Sequence, residues 1–174
     1  MRPLLQSISK YIKWPSLLRD VAILLLLFYG VSAWQSRHLL ALDSHLSLTQ
    51  QNLVGLDGQT TSFIKNHKPT LIYFFAPWCQ VCALSMGNLA YLDSDKVNIV
   101  SIAMDYSDSK EVQHFVDRHN LSIPVLLGHD GLKQQFKIQG YPTYYMVDKD
   151  HKVIGKAYGY STALGLKLRQ VFSG

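Results

Sequence analysis

Cys79 and Cys82 are the only cysteines in 174 residues, and they stand two residues apart in Trp78-Cys79-Gln80-Val81-Cys82. Thiols this close can close a disulfide and reopen it, which is two-electron chemistry that requires no cofactor. An apolar run from Thr70 to Phe75 precedes the pair and a helical pattern follows it. The spacing therefore predicts a strand, a short loop and a helix that opens on the cysteines, the setting of a redox dithiol. Main-chain N–H groups and the dipole at a helix start stabilise a thiolate. Cys79 is expected to ionise readily and act as nucleophile. Cys82, one turn further on and less exposed, is expected to resolve the mixed disulfide that Cys79 forms.

Other uses of two cysteines make their own demands. A structural zinc site needs four ligands, yet there is no second cysteine pair, and His67, His114, His119 and His129 lack ligand spacing. Two thiolates also suit soft Cu(I), but no histidine or methionine stands beside the pair. An inert structural disulfide remains a reading for an oxidising compartment. No metal and no cofactor is expected beyond the Cys79–Cys82 couple itself.

The elements that must position the pair follow from pattern. Leu46 to Val54 and Thr60 to Ile64 flank Leu56-Asp57-Gly58, and Asp-Gly between half-apolar runs signals a hairpin. Asn66 to Pro69 reads as the connecting turn. Leu71 to Phe75 is apolar throughout, as in a central strand covered on both faces. After the cysteines, Cys82, Met86, Leu89 and Ala90 recur on one helical face. Val97 to Met104 is a second buried strand, and Asp108 with Glu111 resembles a capping box. The next helix carries Val112, Phe115, Val116 and His119 on one stripe, where His119 reads as a packing residue. Ile123 to Leu127 is a short strand entered through proline, and Asp130-Gly131 opens a helical turn reaching about Phe136. Thr143 to Val147 and Val153 to Tyr158, joined by Asp148 to His151, form an antiparallel hairpin. Ser161 is expected to cap a final helix whose Lys167 and Arg169 meet its C-terminal dipole. Strands separated by helices, then a hairpin and a helix, give an α/β layered domain. Asn120 to Ser122 matches a glycosylation sequon.

The net charge of +5 is unevenly spread: residues 1–20 hold four basic groups against one acidic, and the remainder is nearly balanced. A body without a lysine or arginine cluster gives no support to nucleic-acid binding. Val21 to Ala33 is uncharged and Trp14 and Trp34 flank it, about 30 Å apart along a helix, which matches a hydrocarbon core and its aromatic belts. Arg19 would have to snorkel. Val31-Ser32-Ala33 offers the small residues of a signal-peptidase site, but the long leader before the apolar run favours an uncleaved anchor. On either reading the positive flank stays cytoplasmic and the dithiol is exported. The expected organisation is a cytoplasmic basic segment (1–20), an anchor core (21–34), a tether (35–45) and a folded domain (46–174).

The order strand, Trp-Cys-x-x-Cys, helix, strand, helix, strand, Gly140-Tyr141-Pro142-Thr143, hairpin, helix resembles the thioredoxin fold. The leading hairpin and the N-terminal anchor make the chain similar to the membrane-tethered, periplasmic thioredoxin-like oxidoreductases of bacteria. The resemblance covers roughly residues 46–172. It implies a central mixed sheet flanked by helices, with an N-terminal β-hairpin extension and one transmembrane helix. It further implies a protein disulfide or thiol as substrate, a transmembrane electron donor and a reductase in the inner membrane facing the periplasm. Pro142 would be a cis-proline facing the dithiol, leaving the Tyr141 backbone free to pair with a substrate strand. Read from the residues alone, Pro142 could be a trans strand-entry proline, and Pro124 competes for the role. Trp78 would shield one side of the active loop and offer an apolar contact. The sequence departs from the family where Tyr73 occupies the buried-acid position and Ser85 stands where some reductases place a glutamate. Gly87 replaces a helix-kinking proline, and Gln80-Val81 matches neither the thioredoxin nor the strong-oxidant dipeptide.

Overall fold

The computed structural model describes residues 14–46, 52–64, 67–121 and 123–172. Several expectations therefore fall outside the described residues. They concern Arg2, Lys10 and Lys13, the 47–51 part of the first strand, Asn66 of the connecting turn and Ser122 of the sequon. Two compact units divide the chain, residues 1–37 and 38–174. Among the described residues of the first, helix α1 (Trp14–Ser36) of 23 residues carries Trp14 and Trp34. It is long and apolar enough to cross a membrane, and none of its apolar window is buried. Arg19 and Asp20, its two charges, pair with each other at 3.1 Å.

The second unit begins with a hairpin, β1 (Asn52–Val54) and β2 (Thr60–Ser62). Gly58 closes its loop at φ 77°, while the Asp57 carboxylate accepts the Gln59 N–H at 3.0 Å. Then follow β3 (Thr70–Phe75), α2 (Gln80–Met86), β4 (Asn98–Ala103), α3 (Ser109–Arg118), β5 (Val125–Leu127) and α4 (Asp130–Gln135). The chain ends in β6 (Thr143–Val147), β7 (Val153–Tyr158) and α5 (Ala163–Phe172). One five-stranded sheet has the order β5-β4-β3-β6-β7. β4 is parallel to both β3 and β5, whereas β6 is antiparallel to both β3 and β7. This is the thioredoxin-like α/β fold, with a mixed sheet between helices.

The pleat of β3 explains why every one of its residues is buried. Leu71, Tyr73 and Phe75 point to one face and join Cys79, Cys82, Met86, Phe115 and Tyr144. Ile72 and Phe74 point to the other and join Phe63, Phe136, Tyr145 and Val147. Each outer strand is met at one place by a preceding segment, which shortens the open edges. On β5, Gly55 bridges Leu126 and the Leu56 N–H donates to the Val125 carbonyl at 3.2 Å. On β7, Asp43 donates to Val153 at 2.9 Å and Val153 donates back to Ser44 at 3.0 Å.

Three local expectations are corrected. The stretch 35–45 is not a free tether along its length, because Leu39 and Leu46 are buried in the second core and the folded unit starts at residue 38, not 46. Ala90 is exposed, because α2 ends at Met86 and the chain tightens into a 3₁₀ turn over Gly87–Tyr91, which rotates the face that the period had extended. Thr162, the residue directly before α5, accepts the Gly165 N–H on its hydroxyl at 3.1 Å and so stands one position after the expected cap, while the Ser161 carbonyl accepts the Asn88 amide at 2.9 Å. Lys167 lies more than a turn before the end of α5. The capping of α3 is as expected: the Asp108 carboxylate accepts the Glu111 N–H at 2.9 Å, and Glu111 reaches back to the Ser107 N–H at 2.8 Å.

Candidate functional site

The site is built where β3 runs out and α2 begins. Cys79 donates its N–H to the Ala76 carbonyl at 3.0 Å, closing a tight turn after the strand. It is the extended N-cap residue of α2, and its Sγ accepts the Cys82 N–H at 3.2 Å. A side-chain acceptor at this position satisfies a donor that the helix leaves open, and a negative sulfur gains most from it. Cys79 and Cys82 form a disulfide with Cα atoms 5.2 Å apart. Cys79 keeps 8% of its surface in solvent and Cys82 none. The outer sulfur is thus the one a partner can reach, and the inner one sits behind it.

The surroundings of Cys82 are aromatic and hydroxylic. Tyr73 donates its hydroxyl to the Cys82 carbonyl at 3.0 Å, and Ser85 donates to the Val81 carbonyl. The Tyr73 and Tyr144 rings lie 4.9 Å apart, and burial, then Tyr144, pushes the Tyr73 phenol well above its ordinary range. No carboxylate is buried among the described residues.

Pro142 follows a cis peptide bond from Tyr141, and its carbonyl accepts the Gly159 N–H at 2.8 Å. The main-chain groups of Tyr141 enter no backbone hydrogen bond among the described residues. Its ring meets Trp78 edge-on at 5.9 Å, so the aromatic before the dithiol and the aromatic before the proline touch. Trp78 is 62% exposed, yet its indole N–H donates to the Asp105 carbonyl at 3.1 Å. Asp105 is held at φ 47°, its carboxylate pairs with Lys133, and the Lys133 ammonium lies 5.9 Å from the Tyr141 ring centroid. The Tyr141 hydroxyl is buried beside the Asp105 carboxylate without a well-aligned hydrogen bond. Burial first, and then Asp105, pushes this phenol far up.

All five sequence-predicted residues, Trp78, Cys79, Cys82, Tyr141 and Pro142, are therefore brought to one place. Asp105 and Lys133 escaped the sequence reading. No residue pattern marks them; in the structure β3 and β4 are parallel with Phe75 opposite Ala103, so Asp105, just past β4, comes beside the loop that follows β3. His119 does not continue the buried stripe: α3 ends at Arg118, and His119 follows it as an exposed C-cap residue whose ring tilts against Phe115 at 4.8 Å. Among the described residues no cluster of three or more His, Cys, Asp or Glu could hold a metal ion.

Against known families, the redoxin profile matches residues 43–166, most of the chain. The chain belongs to the redoxin family. Among redoxin relatives, a thioredoxin-like protein of Bacillus subtilis, YneN, is 25% identical over 138 residues, 73% of this chain and 81% of its own length. The thiol-disulfide oxidoreductase ResA of Bacillus thuringiensis is 28% identical over 99 residues, 55% of this chain, which spans 57% of that protein. A solved structure of a secreted Mycobacterium tuberculosis disulfide oxidoreductase homologous to E. coli DsbE superposes with a TM-score of 0.61. At 21% identity over 70% of this chain and 94% of that one, it shows a shared fold. The redoxin family, the thioredoxin-like fold and the Cys79–Cys82 pair make this chain a thiol–disulfide oxidoreductase.

Proposed function

We propose that this redoxin is a membrane-anchored protein-disulfide reductase whose folded unit works in the bacterial periplasm, with α1 as the inner-membrane anchor. Cys79 is the nucleophile and Cys82 the resolving thiol. The Cys79 thiolate attacks a partner disulfide, forms a new S–S bond and expels one partner thiolate. Cys82 then attacks Cys79, the second partner thiolate leaves, and the Cys79–Cys82 disulfide remains. Two electrons pass to the partner, and a dithiol in a transmembrane electron carrier restores the pair. Trp78 and Tyr141 offer an aromatic contact to the bound segment, and the open main chain of Tyr141 ahead of Pro142 offers strand-like pairing. Anchoring raises the effective concentration of the dithiol near other membrane proteins.

The observation that carries this reading is the Cys79 sulfur capping α2 while Cys82 lies fully buried behind it. The full chain in mild detergent should reduce a protein disulfide, and Cys79→Ser should abolish turnover. Cys82→Ser should strand mixed disulfides on Cys79 that survive non-reducing electrophoresis. The reduction potential decides direction: a value near about −270 mV supports a reductase, whereas one above about −180 mV reverses the flow to oxidation. A Cys79 thiol that alkylates across a pH series no faster than an ordinary cysteine would remove the enzymatic reading.

A further inference from the structure

A groove of about 460 Å³ opens beside the dithiol, between the start of α2 and the end of α3. Cys79 lines it together with Trp78, Leu84, Phe115, Arg118 and His119. Phe115 is 4% exposed and makes the floor, while Trp78 and Leu84 are exposed and rise on its sides. Gln80 completes the polar lining near the cysteine, and no carboxylate lines the groove. Arg118 is exposed and enters none of the ion pairs among the described residues. Its neighbour Asp117 is engaged by the Gln113 amide at 2.8 Å. The groove thus combines an apolar floor, a reactive sulfur and one uncommitted positive charge.

We infer that this groove selects the partner: it seats the extended segment that carries the partner's disulfide, and it favours segments with an apolar side chain and a carboxylate close to the cysteine. The inference rests on the oxidoreductase reading and names the substrate class for it. The volume suits a few side chains of an extended segment. The apolar side chain packs over Phe115 between Trp78 and Leu84. The carboxylate meets Arg118, whose planar guanidinium matches a carboxylate in a bidentate pair. Charge at the rim of such a contact acts mainly on the encounter rate and on partner choice, and it is screened by salt. The transfer itself is unchanged: the Cys79 thiolate forms the mixed disulfide as one partner thiolate leaves, and Cys82 releases the other.

The test uses the full chain in detergent, reduced with dithiothreitol, desalted and followed through a single turnover. Three probes are compared: a peptide disulfide with Leu and Asp beside the cysteine, the same peptide with Lys for Asp, and bis(2-hydroxyethyl) disulfide. The acidic peptide should be reduced about fivefold faster than the basic one at low salt, and the difference should collapse near 0.5 M salt, roughly where the screening length falls below the reach of the pair. Arg118→Gln should remove the preference and Arg118→Glu should reverse it, with the hydroxyethyl probe unaffected in both. Equal rates for the two peptides, a preference for the basic one, or a preference that survives both substitutions overturns the inference while the enzymatic reading stands. If the native chain does not reduce even the hydroxyethyl probe, the enzymatic reading fails and the groove's role falls with it.

Discussion

The indole N–H of Trp78 donates to the backbone carbonyl of Asp105, 27 positions along the chain, at 3.1 Å. Asp105 can present that carbonyl because it adopts φ 47°, a left-handed conformation that aspartate and asparagine tolerate better than other side chains. The same residue uses its carboxylate on Lys133, so one strained position fixes an exposed tryptophan and braces the Tyr141 wall. Asp105→Ala removes both contributions and should lower stability by about 1–2 kcal/mol, the sum of the left-handed cost and a partly exposed ion pair. Asp105→Asn keeps the conformation and should cost about half as much or less. Urea unfolding of the full chain checks the order of the two variants, and the near-UV signal of Trp78 should change more in Asp105→Ala.

Tyr145 is the fastener for residues 38–46. Its hydroxyl donates to the Phe136 carbonyl at 2.7 Å and accepts the Leu40 N–H at 3.1 Å. Tyr145→Phe leaves both backbone groups without that partner at no gain in packing, and should destabilise the folded unit by about 1–3 kcal/mol. Limited proteolysis should then cut within Leu39 to Leu42 well before the sheet is lost. Hydrogen exchange should show the Leu40 and Asp43 amides opening faster. Unchanged cleavage would mean that Leu39 and Leu46 hold the segment by burial alone.

Alkaline pH reaches the same residue by another route. Burial pushes the Tyr145 phenol up to about 12, against the lowering effect of its bond to Leu40, and Tyr73 and Tyr141 are raised as well. A phenol whose folded pKa exceeds its unfolded value of about 10 contributes stability that is complete below pH 10. That contribution is lost as pH climbs from about 10 through about 12 for Tyr145. Lys152, raised by its bond to Asp43, loses its own contribution in the same direction. The urea midpoint should therefore be flat from pH 8 to about 9.5 and fall steeply above 10, and Tyr145→Phe should fall less steeply. A midpoint independent of pH up to 11 would contradict the burial of these phenols.

What could be read in advance depended on whether one side chain type sufficed to declare its setting. Five consecutive apolar residues at Leu71 to Phe75 announce a strand covered on both faces, and the dithiol announces its own chemistry. Asp57-Gly58 and Asp148 to His151 betray their turns because side-chain oxygens there accept nearby N–H groups. Asp105 is different: a polar residue after a strand reads as loop, and its importance arises from its φ and from the side-by-side ends of β3 and β4. Leu39 and Leu46 are seven positions apart without a period between them, so their burial depends on Tyr145 and the β7 edge being there to receive them. Helical period alone extended α2 through Ala90, since the turn to 3₁₀ geometry at Gly87 comes with no capping side chain.

The surroundings of Cys82 bear on the second half of the reaction. Tyr73 spends its hydroxyl on the Cys82 carbonyl, Ser85 spends its own on Val81, and no carboxylate is buried among the described residues. A buried acid near a resolving thiol would titrate together with it and give the resolution step two coupled inflections. Here the Tyr73 phenol stays neutral across the physiological range because burial raises it. The rate at which Cys82 resolves a preformed Cys79 mixed disulfide should therefore rise with pH through one inflection, that of the thiol. Tyr73→Phe should retain that single inflection and cost about 1 kcal/mol for the lost hydrogen bond. Tyr73→Asp, if folded, should add a second inflection by placing a carboxylate behind the sulfur. Stopped-flow release of a fluorescent thiol between pH 5 and 10 makes the distinction, and two inflections in the native chain would show that an acid outside the buried set reaches Cys82.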